Sequence, residues 1–163
     1  MTRLLLHFMI LLVAMGSCEE DQDEQQAYFE YFGVNHAWGF QYSHWIIDGA
    51  GNVRVSSYAD SVVWLSGGLD PHISKFDSVI FQVSKTELDS QIAKIWPASK
   101  GPVETIEQHR NDFGAYGFNA FYQDKIIPLS LRSDTEDKTN NSTEAAQLIL
   151  WLQDLQEKLP KGN

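Results

Sequence analysis

Cys18 is the only cysteine in a chain of 163 residues. A single thiol excludes an internal disulfide, a four-cysteine metal site and a CxxC redox pair, so the fold must be held by packing. Basic residues are also scarce: 12 Lys and Arg face 22 Asp and Glu, a net charge of −10 with histidine neutral. Nucleic acid and anionic lipid headgroups both demand a surplus of cations, so neither is an expected partner. The catalytic signatures are missing too. Ser66-Gly67-Gly68 belongs to neither GxSxG nor GxxxxGK[ST], and the DFG triplet at 112–114 stands without the other kinase motifs. His36, His44, His72 and His109 stand at no metal-ligand spacing, and the EF-hand pattern is absent. No catalytic residue, metal or cofactor is therefore assigned.

The N-terminus carries the most specific signal. Residues 1–17, MTRLLLHFMILLVAMGS, run from the lone cation Arg3 through an apolar stretch to the small pair Gly16-Ser17. That is the layout of a secretory signal, too short to span a bilayer comfortably. With Cys18 next, Met15-Gly16-Ser17-Cys18 resembles the lipobox of bacterial lipoproteins. The resemblance implies cleavage before Cys18 and acylation of that residue, making the lipid bilayer the first partner. Glu19, Glu20, Asp21, Asp23 and Glu24 follow. An acidic run in this place resembles the export signal of surface lipoproteins in Bacteroidota, which implies an outer-membrane protein facing the exterior. As physics, the run is a solvated tether over residues 18–27. Removing Arg3 with the leader leaves 11 basic and 22 acidic side chains, a net −11, and five of those charges lie in the tether, so residues 25–163 carry −6.

Residues 28–163 read as one α+β domain, a mainly antiparallel sheet of five to seven strands with two helices on one face. In VSKTELDSQIAKIWP, Ser84 is the expected N-cap with Glu87 completing a capping box, Val83 and Leu88 form a staple, and Pro97 stops the run. In NSTEAAQLILWLQDLQEKLP, Asn141 is the expected cap, and Ala145, Leu148, Leu152, Leu155 and Leu159 form a core stripe ended by Pro160. YSHWIID and VRVSS flank a four-residue loop, Gly49 to Asn52, as a hairpin. SVVWL and FDSVIFQV read as further strands. FNAFYQ and IIPLSLR form a second hairpin, with Pro128 marking an edge or a bulge. Gly101 to Asn111 reads as a polar loop or short helix, and SDTEDKTNNST as a polar connector.

Eight of the 20 aromatic residues fall within residues 28–45. Flat rings beside polar groups can stack on sugars or grip a partner loop. Asn35, His36, Trp38, Phe40, Tyr42 and Trp45 are accordingly the candidate ligand-binding residues. The competing expectation is that these rings fill the core beneath the helices. Asp134, Glu136 and Asp137 form an acidic group that is either solvated or a weak calcium site. The combined expectation is a lipid-anchored module that recognises a protein or a glycan. Two alternatives stay open: a small envelope hydrolase using Asp112 or Glu104 with His109, and an accessory subunit of an outer-membrane complex, marked by an exposed apolar patch.

Overall fold

The computed structural model describes residues 27–35, 41–55, 78–111, 114–123 and 125–160. The leader, Cys18, the acidic run, SVVWL, Ser66 to Gly68, His72 and Asp112 lie outside the described residues. Eight strands form one sheet: β1 (Ala27–Asn35), β2 (Gln41–Asp48), β3 (Asn52–Val55), β4 (Ser78–Gln82), β5 (Val103–Glu107), β6 (Ala115–Tyr122), β7 (Lys125–Ser133) and β8 (Glu136–Asn140). Their spatial order is β4-β3-β2-β1-β6-β7-β8-β5, and all seven neighbouring pairs are antiparallel. The class is α+β, with a sheet larger than the five to seven strands expected.

Two of the strands, β5 and β8, fall on segments read above as a polar loop or short helix and as a polar connector. They pair with each other at the end of the sheet, from Val103↔Asn140 to Glu107↔Glu136. Every residue of β5 is exposed. A strand that buries neither face shows no alternation of apolar and polar residues, and backbone pairing alone holds it.

β4 and β5 are consecutive in sequence yet lie at opposite edges. The segment between them must cross the whole sheet, and it carries α1 (Lys85–Ile92) and the single-turn α2 (Ile95–Ala98) over one face. Helix α3 (Thr143–Gln156) leaves β8 and packs on α2 and β7. Leu88, Ile95, Ala98, Ala145, Leu148, Leu152 and Leu155 meet Phe29, Trp45, Ile47, Val53, Phe118, Ala120 and Leu129 in the main core. Each fully buried leucine contributes roughly 1.5–3 kcal/mol.

Local chemistry explains the boundaries. Ser84 caps α1 as expected, its Oγ accepting from Glu87 N at 3.3 Å, with Val83 and Leu88 both buried. The Glu87 carboxylate does not close the capping box; it accepts from Trp151 Nε1 of α3 at 2.8 Å. Pro97 does not end α1. A helix running through it would require an amide that proline lacks, so the chain turns at Ala93–Lys94 and places Pro97 in the first turn of α2. The cap of α3 is Ser142 rather than Asn141, with Ser142 Oγ accepting from Ala145 N at 3.1 Å. Asn140 holds that cap: its Oδ1 accepts from Ser142 Oγ at 2.8 Å while its Nδ2 donates to Ala98 O of α2 at 2.9 Å. Helix α3 stops at Gln156, short of Pro160.

The β2–β3 loop is one residue shorter than expected, because Asn52 already belongs to β3. Gly51, at φ 83, donates to Asp48 O at 2.9 Å, the left-handed position of a three-residue hairpin loop. In the second hairpin, Pro128 faces Asn119 beside a register shift that leaves Leu129 as an extra, buried residue. β8 pairs only with Ser130 to Arg132, so β7 is locally unpaired at Pro128 and its missing amide breaks no bond there.

Candidate functional site

Register decides the fate of the aromatic segment. Val55, Trp45, Tyr31 and Phe118 lie across β3, β2, β1 and β6 in one row on the helical face. Trp45 is 2% exposed, stacked on Tyr31 with centroids 5.9 Å apart and edge-on to Phe118 at 6.3 Å. Phe29 meets Trp151 of α3 edge-on at 5.1 Å. Trp45 is thus a core residue, and its place in the exposed platform must be withdrawn: alternation along β2 turns it under the helices. Its Nε1 is buried without a hydrogen-bond partner. Asn35 and Tyr42 are half-buried near the far end of the β1–β2 pair. His36, Trp38 and Phe40 lie outside the described residues.

The other face of the sheet holds a small cluster of Ala27, Ile46 and Phe121, with buried polar groups beside it. Glu30 is 2% exposed and His44 8%, and Glu30 Oε1 lies 2.8 Å from His44 Nε2. Glu30 Oε2 accepts from Asn119 Nδ2 at 3.0 Å. Two strands flank β1, and each sends one polar side chain to its single buried acid. Tyr42 stands against His44 with ring centroids 5.6 Å apart. Burial, and then the negative charge of Glu30, push the Tyr42 phenol well above its ordinary value of 10.0. A raised folded value favours the neutral form, so this contribution is whole below pH 10 and is lost as pH rises beyond it. Absorbance at 295 nm, followed with circular dichroism through an alkaline titration, is expected to show one tyrosine ionising only as the fold is lost. Tyr42→Phe is expected to abolish that late ionisation.

Asp48, fully buried, completes the polar interior. Its Oδ1 accepts from the amides of Ala50 and Asn52 at 3.1 and 2.8 Å, and its Oδ2 accepts from Asn52 Nδ2 at 3.0 Å and Arg54 Nε at 2.7 Å. These are the bonds of a carboxylate locking a hairpin. The acidic group near the β7–β8 turn is spent in the same way. Asp137 takes a two-pronged bond from Arg110 at 2.8 and 2.7 Å, which lowers its pKa, Glu136 pairs with Lys138 at 2.6 Å, and Asp134 accepts from Gly114 N at 3.0 Å. Among the described residues, no three His, Cys, Asp or Glu side chains are grouped to hold a metal ion. Glu104 and His109 are both exposed, and Glu104 Oε2 accepts from Asn141 Nδ2 at 3.1 Å.

An exposed aromatic surface does exist, on residues the sequence reading passed over. Trp96 of α2 is 48% exposed, and its ring lies 5.2 Å from that of Tyr122 at the end of β6, tilted by 39°. Lys100 Nζ sits 3.8 Å from the Trp96 centroid, and the exposed Lys125 pairs with Tyr122 across the hairpin. One side of Tyr122 packs on the core, so the shelf rests on the sheet. A signal for it was present: Trp96 falls beside, not on, the apolar stripe of Leu88, Ile92 and Ile95. Two rings flanked by two cations, on a chain of net charge −10, can stack against the apolar face of a ring-shaped ligand and attract its negative charge. No protein-family model and no curated protein matches the chain in sequence.

Proposed function

We propose that the protein is a lipid-anchored recognition module of the bacterial envelope. Acylated Cys18 holds it to the outer membrane, the acidic run directs it outward, and the folded part binds a glycan at the Trp96–Tyr122 shelf. The anchor and address rest on the lipobox-like Met15 to Cys18 and on the acids behind it. The observation that carries the binding reading is the half-exposed Trp96 beside Tyr122, with Lys100 over its ring. Sugars present C–H faces that stack on such rings, while Lys100 and Lys125 favour sugars that bear a carboxylate.

A glycan array spanning neutral and uronic-acid oligosaccharides, probed with the full chain in detergent, tests this reading. The wild type is expected to retain acidic oligosaccharides, and Trp96→Ala to weaken them by roughly 30-fold, an aromatic hot-spot loss of about 2 kcal/mol. Trp96 is half-exposed and lies outside the main core, so the variant should keep the thermal stability of the wild type. Retention unaffected by Trp96→Ala, or no retention by the wild type, would remove the shelf as a site.

A further inference from the structure

We propose that β5 is a docking edge, which takes up an extended, basic segment of a partner protein as a ninth strand. Among the described residues, its backbone is unpaired on one side. Asn141 N donates to Pro102 O at 2.9 Å and Gln108 N donates to Thr135 O at 2.8 Å, which brackets the ladder with β8. Hydrogen bonding in an antiparallel pair alternates along the strand, so Glu104 and Ile106 also point their amides at β8. Val103, Thr105 and Glu107 then point theirs outward, away from the sheet.

Several of the usual protections of a sheet edge are missing here, and the charge that β5 does carry, Glu104 and Glu107, is all acidic. Edges are blunted by lysine, by proline, by bulges or by brevity. β5 holds neither lysine nor proline, and its five pairs with β8 run without a register shift. The opposite edge differs, since β4 meets β3 through a shift at Val53/Arg54. Val103 is 43% exposed and Ile106 52%, one on each face of the strand. Each face therefore shows one apolar and one acidic side chain: Ile106 with Glu104, and Val103 with Glu107.

Charge selects the occupant. The nearby cations Arg110 and Lys138 are paired with Asp137 and Glu136, whereas Glu104 and Glu107 have no ion-pair partner among the described residues. A second copy fits poorly. Antiparallel self-pairing about Thr105 would set Glu104 against Ile106 and Glu107 against Val103, burying acids against apolar groups in an already acidic chain. A strand with basic residues facing the two acids and β-branched ones facing Val103 and Ile106 satisfies every position, with the backbone supplying affinity. This surface is separate from the shelf and does not depend on it.

The probe is the peptide acetyl-Lys-Ile-Thr-Lys-Val-amide, compared with acetyl-Glu-Ile-Thr-Glu-Val-amide. Amide hydrogen exchange is read residue by residue by NMR on the isotope-labelled full chain in detergent. The basic peptide is expected to slow exchange at Val103, Thr105 and Glu107, and the acidic one to leave them unchanged. Thr105→Pro deletes one outward amide without touching the β8 ladder, and is expected to weaken the effect about tenfold. Persisting protection of Glu104 and Ile106 in that variant would show that β5 is still paired. Glu104→Lys with Glu107→Lys is expected to reverse the preference between the peptides. Equal protection by both peptides, protection by neither, undiminished binding to a Thr105→Pro variant with its β8 ladder intact, or protection that grows with protein concentration alone would each overturn the proposal.

Discussion

Glu30→Ala is expected to lower the free energy of unfolding by roughly 3–5 kcal/mol, the usual cost of removing one member of a buried pair. The side chain occupies a place where water does not substitute for it: Glu30 is 2% exposed, and its partner His44 8%. Truncation leaves His44 Nε2 and Asn119 Nδ2 without the acceptor each now uses, at 2.8 and 3.0 Å. The expected shift in thermal midpoint is roughly 10–15 °C. The cause can be told apart from lost packing. Glu30→Leu with His44→Leu replaces both members by apolar groups of similar size and orphans only the half-buried Asn119 amide, so it is expected to recover most of the loss. Thermal melts of Glu30→Ala, His44→Leu and the double variant therefore form the test. His44→Leu keeps the volume but removes one member of the pair, so a His44→Leu variant as stable as the wild type would mean that volume, not the pair, carries the energy.

Cys18→Ala is expected to have the largest effect on where the protein resides. On the proposed reading, Cys18 bears the acyl chains that hold the whole domain to the membrane. Each buried methylene contributes about 0.8 kcal/mol, so one chain binds marginally and reversibly while several together hold firmly. Loss of the thiol removes the attachment point, and with it the cleavage that precedes acylation of the new amine. Fractionation should show an unprocessed, heavier chain, or one released from the acylated membrane pool. Normal processing together with unchanged membrane association would refute the anchor. External protease on intact cells then tests the address: digestion of the wild type, and protection after deletion of Glu19 to Glu24, are the expected pair of results.

The elements legible in the sequence are those whose information is local. Helix α1 is marked by Ser84 and by Leu88, Ile92 and Ile95 at helical spacing, and α3 by the stripe from Ala145 to Leu155. Those apolar residues do turn inward, but α1 ends at Ile92 and Ile95 belongs to α2. The β6–β7 hairpin is marked by two β-rich runs about a short turn. The errors fall at the ends, where one cap competes with the next. Ser142 rather than Asn141 caps α3 because Asn140 binds the Ser142 hydroxyl and, across the chain, the last carbonyl of α2. No pattern within the helix itself encodes that contact.

By itself, then, the sequence determined the class of fold, the two principal helices and the tight turns, because spacing, capping and residue type act over a few neighbours. Tertiary structure alone decided which rings are available. A period of two states that Trp45, Ile47 and Ser43 share one face of β2, but which face lies under the helices depends on β4 and β5 standing at opposite edges. That crossing buries Trp45 and leaves Trp96 facing outward. It also strands β5 at the rim, where pairing with β8 makes a strand of five exposed residues that carry no apolar alternation. Long-range pairing assigns burial, and burial separates a core ring from a binding ring.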